Sequence, residues 1–378
     1  MDFSRVELSD EDTRFRDELR AFLAEIVTDE VIRRDRETGE NFDESVHLAL
    51  GGAGYLAADY RCADDGGFSA VRRRIWELEI GRAHTPWFHW GTTAMAAHTV
   101  EKFGTPELVE EVLPGVLSGR VRICLGYTEP EGGSDVATCK TRAVRDGDAW
   151  IINGSKMFTS NAHNAQYVFL VTNTDPEAPK HNSLTMFLVP LGTPGVEIQG
   201  IRTVDGDRTN ITYYSDVRVS DRYRVGDVNG GWGVLRGALD VEHGTFERDT
   251  HGLQKIATMT EHITLMAEAL DLVAAQAPGD GASRFRLGRG IACTEAAMST
   301  PDMYGRVAIA QTMRDVTPDL MDILGPAGAL TDGVEYIFRL AGPTGIYGGT
   351  LEVFRNMIAQ HGLGLGKPNY AQPVKKVS

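Results

Sequence analysis

Two glycine-rich segments, some two hundred residues apart, carry residue types suited to holding a flat or anionic ligand. In Tyr127-Thr-Glu-Pro-Glu-Gly-Gly-Ser134, two glycines lie between the hydroxyls of Thr128 and Ser134. Glycine lacks the Cβ that would keep a ligand away from backbone N–H groups, and hydroxyls can donate or accept. Taken alone, the segment reads more readily as a β-turn. In Tyr347-Gly-Gly-Thr350, Thr350 is placed to cap a helix running from Leu351 to Gln360, with Glu352 in its first turn. The free N–H groups at such a start can meet a ring edge or a carbonyl, or simply belong to an ordinary capped helix.

Two further stretches could do chemistry. Lys156-Met-Phe-Thr-Ser-Asn161 offers Phe158 to cover one face of a flat ring, with Thr159 and Ser160 to bond its edge. A core phenylalanine at a strand end is the plainer account. Between Leu235 and Asp249, Glu242 lies near an apolar helical side made by Leu235, Leu239, Phe246 and Leu253. Most glutamates so placed are solvated.

The elements that must position these groups follow from period. Ser9-x-x-Asp12 has the form of a capping box, and Phe15, Leu19, Phe22, Leu23 and Ile26 then share one helical face. Helices are predicted over about 42–50, 71–83, 90–103 and 106–117. From Ile123 to about Val219 the chain turns β-rich. Asp146-Gly147 and Asn153-Gly154 read as hairpin turns, and 167–172, 184–190 and 210–214 as strands. Helical period returns from Trp232, with 276–282 a loop. The fold class is therefore α+β. Residues 1–121 form an N-terminal helical domain, 122–226 a middle antiparallel β-barrel or sandwich, and 227–378 a C-terminal helical domain.

The chain has 38 Lys+Arg and 53 Asp+Glu, a net charge of −15 that disfavours nucleic acid and anionic membrane surfaces as partners. The four cysteines (Cys62, Cys124, Cys139, Cys293) have neither metal-ligand spacing nor histidine partners. An acidic start without an apolar signal region, and no long apolar run, point to a soluble cytoplasmic protein.

Several separated motifs, in order, resemble the acyl-CoA dehydrogenase family. They are Phe103-Gly-Thr-Pro106, Leu117-Ser-Gly119, Thr128–Ser134, Asp146–Gly154, Tyr213–Val219, Gly230-Gly-Trp232, Leu324-Gly-Pro-Ala-Gly328 and Ile346–Asn356. The resemblance implies the family's fold, with a C-terminal four-helix bundle and FAD in the cleft. It also implies α,β-dehydrogenation of an acyl thioester, in which a carboxylate takes the α proton and hydride passes to flavin N5.

By resemblance, Tyr127, Thr128, Ser134, Phe158, Thr159, Ser160, Arg284, Gly325, Thr350 and Glu352 contact FAD. Ser134, Asp240 and the Gly348 N–H contact substrate. Gly348 stands where many members carry the catalytic glutamate. Leu239-Asp-Val-Glu-His243 matches the motif of the isovaleryl- and long-chain-type branch, which makes Glu242 the base and Glu247 the fallback. His243 replaces an arginine common beside that base. Ser283-Arg-Phe-Arg-Leu-Gly-Arg289 is similar to the actinobacterial sterol- and side-chain-type members, some of which are heterotetramers. Implied partners are an acyl-CoA or an acyl carrier protein thioester, an electron-transfer flavoprotein, and like or unlike dehydrogenase subunits. A non-catalytic partner subunit is the alternative from another class.

Overall fold

The computed structural model describes residues 7–242, 259–276, 279–300, 302–330 and 333–366; the side chains of residues 240–242, 260 and 302 are outside that description. Seven helices come first: α1 (Asp10–Ile26), α2 (Asp29–Thr38), α3 (Glu44–Gly52), α4 (Tyr55–Tyr60), α5 (Ala70–Arg82), α6 (His89–Phe103) and α7 (Pro106–Leu117). The Ser9 hydroxyl accepts from Asp12 N–H at 3.1 Å and donates to the Asp12 carboxylate at 2.7 Å, so Ser9 caps α1 as expected. Thr28, Asp43, Ser69 and Thr105 cap α2, α3, α5 and α7 in the same way.

Eight strands follow: β1 (Ile123–Gly126), β2 (Arg142–Asp146), β3 (Ala149–Lys156), β4 (Tyr167–Asn173), β5 (Leu184–Pro190), β6 (Val196–Arg202), β7 (Arg208–Ser220) and β8 (Arg224–Val225). They form one sheet ordered β6-β7-β3-β2-β4-β5-β8, with β1 beside β4. The sheet is mixed rather than wholly antiparallel, because β1 and β2 both run parallel to β4. Asp146-Gly147 makes the expected β2–β3 hairpin. Asn153-Gly154 does not turn the chain: β3 runs on through it to Lys156, with a register shift between Ile152 and Gly154. The cause is local. Gly154 takes φ +147°, and Asn153 spends its amide on Asp216 of β7, accepting at 2.9 Å and donating at 3.0 Å.

The middle strands β4 and β5 are apolar on both faces, as buried strands must be. Phe169, Val171, Met186 and Leu188 face the N-terminal helices, while Val168, Leu170, Phe187 and Val189 pack on Trp150, Ile152 and Val217. The remaining helices among the described residues are α8 (Gly231–Glu242), α9 (Thr260–Gln276), α10 (Gly281–Met298), α11 (Asp302–Leu324), α12 (Val334–Thr344) and α13 (Leu351–Met357). Helix α8 gives Val234, Leu235 and Ala238 to the core shared by the N-terminal helices and the sheet. Helices α9–α12 pack on one another around a second core of Leu270, Met313, Leu320 and Ile337. This is the expected bundle. No helix among the described residues is long and apolar enough to cross a membrane.

Candidate active site

Strand β1 runs directly into the Thr128–Ser134 turn. Glu129 and Gly132 exchange backbone hydrogen bonds of 3.0 Å, and a Cβ on Gly133 would sit 3.3 Å from Thr128 Cγ2. The turn is tied to the end of β3, where Met157 N–H donates to the Thr128 carbonyl at 2.8 Å. Beneath it lies Lys156, fully buried. Its ammonium donates to Glu129 Oε1 at 2.8 Å and to the Tyr127 carbonyl at 3.4 Å, and Cys139 Sγ lies 3.3 Å away. The Glu129 carboxylate also accepts from the N–H groups of Lys140 (2.7 Å) and Thr141 (2.8 Å). Burial alone would raise this carboxyl, but the Lys156 charge and the donors around it push it down to about 2. Sequence reasoning missed this pair, because its members lie 27 residues apart and meet only once the β2–β3 hairpin closes.

Phe158 follows in the left-handed region (φ +57°) and its ring is 53% exposed. Thr159 turns inward. It is fully buried, its N–H donates to the Asn210 carbonyl at 2.8 Å, and its hydroxyl lies 3.3 Å from that of Thr212. The half-buried Ser160 pairs instead with the Thr209 hydroxyl at 2.9 Å. Thr159 thus presents no exposed side chain, while that of Ser160 stays partly accessible. Tyr127 is buried with its ring edge-on to Phe169 at 6.2 Å, and Ser134 is exposed at the tip of the turn. Glu40, which sequence reasoning also missed, braces this region from the N-terminal helices. It pairs with His163 and with Arg208 (3.1 Å), and Asn210 lies 3.1 Å from the far nitrogen of His163.

In the C-terminal half, Gly348 and Gly349 take φ +59° and +97°, a left-handed pair that side chains resist. Thr350 caps α13 as expected, accepting from Val353 N–H at 3.2 Å. That helix closes at Met357, ahead of a π-turn over Ile358–Gly362. Glu352 is exposed, 3.9 Å from Arg355. Asp240 and Glu242 end α8, which packs on α6 and β5; their side chains lie outside the described residues, as do His243, Glu247, Gly252 and Leu253 entirely. Arg284 on α10 and Gly325 (φ +59°) after α11 are exposed, and among the described residues nothing ties either to the Thr128–Ser134 turn. The structure therefore joins Tyr127, Thr128, Phe158 and Ser160 on one part of the sheet.

Acids gather where the three regions meet. Arg208 N–H donates to the Gly39 carbonyl at 2.6 Å, and Arg339 reaches the Val204 carbonyl at 3.2 Å. There, burial and mutual repulsion push Asp35 up to about 6 and Asp207 and Glu261 up to about 7. A carboxyl raised in the folded state stabilises the fold below the ordinary carboxylate range and loses that contribution as pH climbs through the raised value. The melting temperature is expected to fall between pH 5 and pH 8. Asp207→Asn keeps the hydrogen bond to Asn41, and should add on the order of 1–2 kcal/mol at pH 8 and little at pH 5. Calorimetric scans of both proteins at the two pH values check this.

Comparison with known proteins gives the same answer along the chain. The acyl-CoA dehydrogenase N-terminal, middle and C-terminal domain models match residues 9–120, 124–218 and 294–363. Acyl-CoA dehydrogenase FadE29 of Mycobacterium tuberculosis is 33% identical over 63% of this chain and 62% of its own length. FadE26 of the same organism is 30% identical over 97% of this chain and all of its own. The solved structure described as "Tcur3481-Tcur3483 steroid ACAD" superposes with a TM-score of 0.82 at 30% identity, covering 97% of this chain and 100% of that one. The chain belongs to the acyl-CoA dehydrogenase family of oxidoreductases.

Proposed function

We propose that the chain is a FAD-dependent dehydrogenase that converts an acyl-CoA thioester into its α,β-enoyl-CoA. The observation that carries this reading is the exposed Phe158 ring, set beside the Ser160 hydroxyl and the Thr128–Ser134 turn over the buried Lys156–Glu129 pair. An apolar ring held out at a left-handed φ fits a flat heterocycle that covers it. FAD, when bound, supplies the acceptor for the hydride that leaves the β carbon. The Glu242 carboxylate takes the α proton. The Gly348 N–H donates to the thioester oxygen as negative charge builds there, since an α C–H is otherwise too weak an acid. Tyr127, Thr128, Ser134 and Ser160 border the cofactor with Phe158, and Thr350, Glu352, Arg284 and Gly325 complete its surroundings. Asp240 and Ser134 face the substrate. The middle domain in this reading spans residues 122–226.

The reduced enzyme passes its electrons to an electron-transfer flavoprotein, in the cytoplasm. Assembly with a dehydrogenase-like subunit is suggested by the paired description of the steroid relative. A carrier-protein thioester in place of CoA is the second reading for the substrate. Phe158→Ala is expected to weaken FAD binding about tenfold, with unchanged melting of the cofactor-free protein. Flavin titration followed by fluorescence quenching checks it, and equal affinity would remove Phe158 from the site.

A further inference from the structure

Tyr347, immediately before the left-handed Gly348–Gly349 pair, is held at every polar atom. Its hydroxyl lies 2.7 Å from His262 Nε2 and 3.2 Å from the Thr344 hydroxyl. Its carbonyl accepts from Arg306 at 2.7 Å, and its N–H donates to the Pro343 carbonyl at 3.1 Å. Its ring meets the edge of Phe88, at the start of α6, with centroids 6.1 Å apart. One residue thus links α9, α11, α12 and the N-terminal helices at the site of the expected thioester contact.

The direction of these bonds can be deduced. Thr344 is fully buried and its hydroxyl donates to the Leu340 carbonyl at 2.7 Å, so its oxygen is left to accept from the Tyr347 hydroxyl. The tyrosine oxygen must then accept from His262, which places the imidazole proton on Nε2. Nδ1, buried and without a hydrogen-bond partner among the described residues, is the bare nitrogen. This is the cheaper arrangement, because orphaned buried N–H groups are rarer than orphaned acceptors. Burial, aided by Arg306, pushes His262 down to about 3, so the ring stays neutral. The chain therefore runs one way, from His262 through Tyr347 and Thr344 to the Leu340 carbonyl.

We propose that His262 and Thr344 are positioning residues that act through Tyr347 to fix the Gly348 N–H against the thioester oxygen. The Tyr347 proton is committed to Thr344, so the residue offers the acyl group its ring and no donor. An acyl group that is apolar where it meets Tyr347 and Phe88 fits this wall. The proposal rests on the dehydrogenase reading. Its test uses the full-length flavoprotein and two probes: anaerobic flavin reduction by an acyl-CoA, and the absorption of a 3-arylacryloyl-CoA, whose band moves to the red when its carbonyl is hydrogen-bonded.

His262→Leu and Tyr347→Phe are expected to slow flavin reduction about tenfold or more. They should lose most of the red shift, at unchanged flavin content and with KM within about twofold. His262→Gln, whose amide N–H can stand where Nε2–H stands, should restore both readouts. Thr344→Val, a milder change at the far end of the chain, should show an intermediate loss. A full red shift and wild-type rate in Tyr347→Phe would overturn the proposal alone. So would losses that merely track the loss of bound flavin. Wild-type protein that neither shifts the probe nor is reduced overturns the dehydrogenase reading, and the proposal with it.

Discussion

Lys156→Met is expected to destabilise the protein by about 3–5 kcal/mol, the cost of leaving one member of a buried ion pair without the other. The Lys156 ammonium is fully buried and makes the 2.8 Å contact to Glu129 Oε1 that holds this carboxylate ionised under the Thr128–Ser134 turn. With the cation gone, the carboxyl either stays charged in a dry site or takes up a proton, and each outcome is unfavourable. The consequence for function is specific. Lys156 also donates to the Tyr127 carbonyl, so loss of the pair loosens the turn at its start and leaves the Met157 N–H bond to the Thr128 carbonyl as its tie to the end of β3. Urea unfolding should report the lost stability, and the purified variant should carry little FAD. The double variant Lys156→Met/Glu129→Leu should recover part of the stability, because removing both charges also removes the penalty; the N–H groups of Lys140 and Thr141 would still lose their acceptor. A single variant as stable as wild type would show that the pair is not what holds the turn.

Glu242→Gln is expected to act on chemistry rather than on stability. A positioned general base contributes about 10²–10⁴ in rate, and the amide keeps the shape while removing the proton acceptor. The variant should bind FAD and substrate as wild type does, with KM little changed and kcat reduced by that factor. Helix α8, described as far as Glu242, is anchored through Val234, Leu235 and Ala238 in the core shared with the sheet, so the substitution falls on a well-packed element. If Glu247 were the base instead, Glu242→Gln would leave kcat near wild type and Glu247→Gln would abolish turnover. Stopped-flow measurement of flavin bleaching separates the two.

Much of the scaffold was legible in the sequence because it obeys local rules. The Ser9 cap, the Thr350 cap and the Pro106–Leu117 helix stand where capping residues and apolar period place them. The strands Tyr167–Asn173 and Leu184–Pro190 announce themselves as apolar runs, and both faces are in fact buried. Where local rules misled, a tertiary contact had won. Asn153-Gly154 has the composition of a hairpin turn, yet Asp216 across the ladder uses the asparagine side chain and the strand continues. The inward turn of Thr159 could not be counted from strand alternation, because β3 ends at Lys156 and Phe158 then takes a left-handed φ. Nor could Lys156 be paired with Glu129, or Glu40 with His163 and Arg208, because nothing in a one-dimensional pattern brings distant charges together. Glu242 is different again: its residue chemistry alone favours a solvated surface glutamate, and only the resemblance of the motif around it makes it the proposed base.

The measurement that bears most directly on the central claim is the visible absorption spectrum of the protein purified alone, before and after anaerobic addition of acyl-CoA thioesters. Flavin bands that bleach with substrate in wild type, and persist in Glu242→Gln, are the predicted result. They would establish a dehydrogenase that holds its own FAD and uses this carboxylate. A colourless protein that gains no flavin on incubation with FAD, or a flavoprotein that every acyl-CoA leaves unbleached, would contradict it.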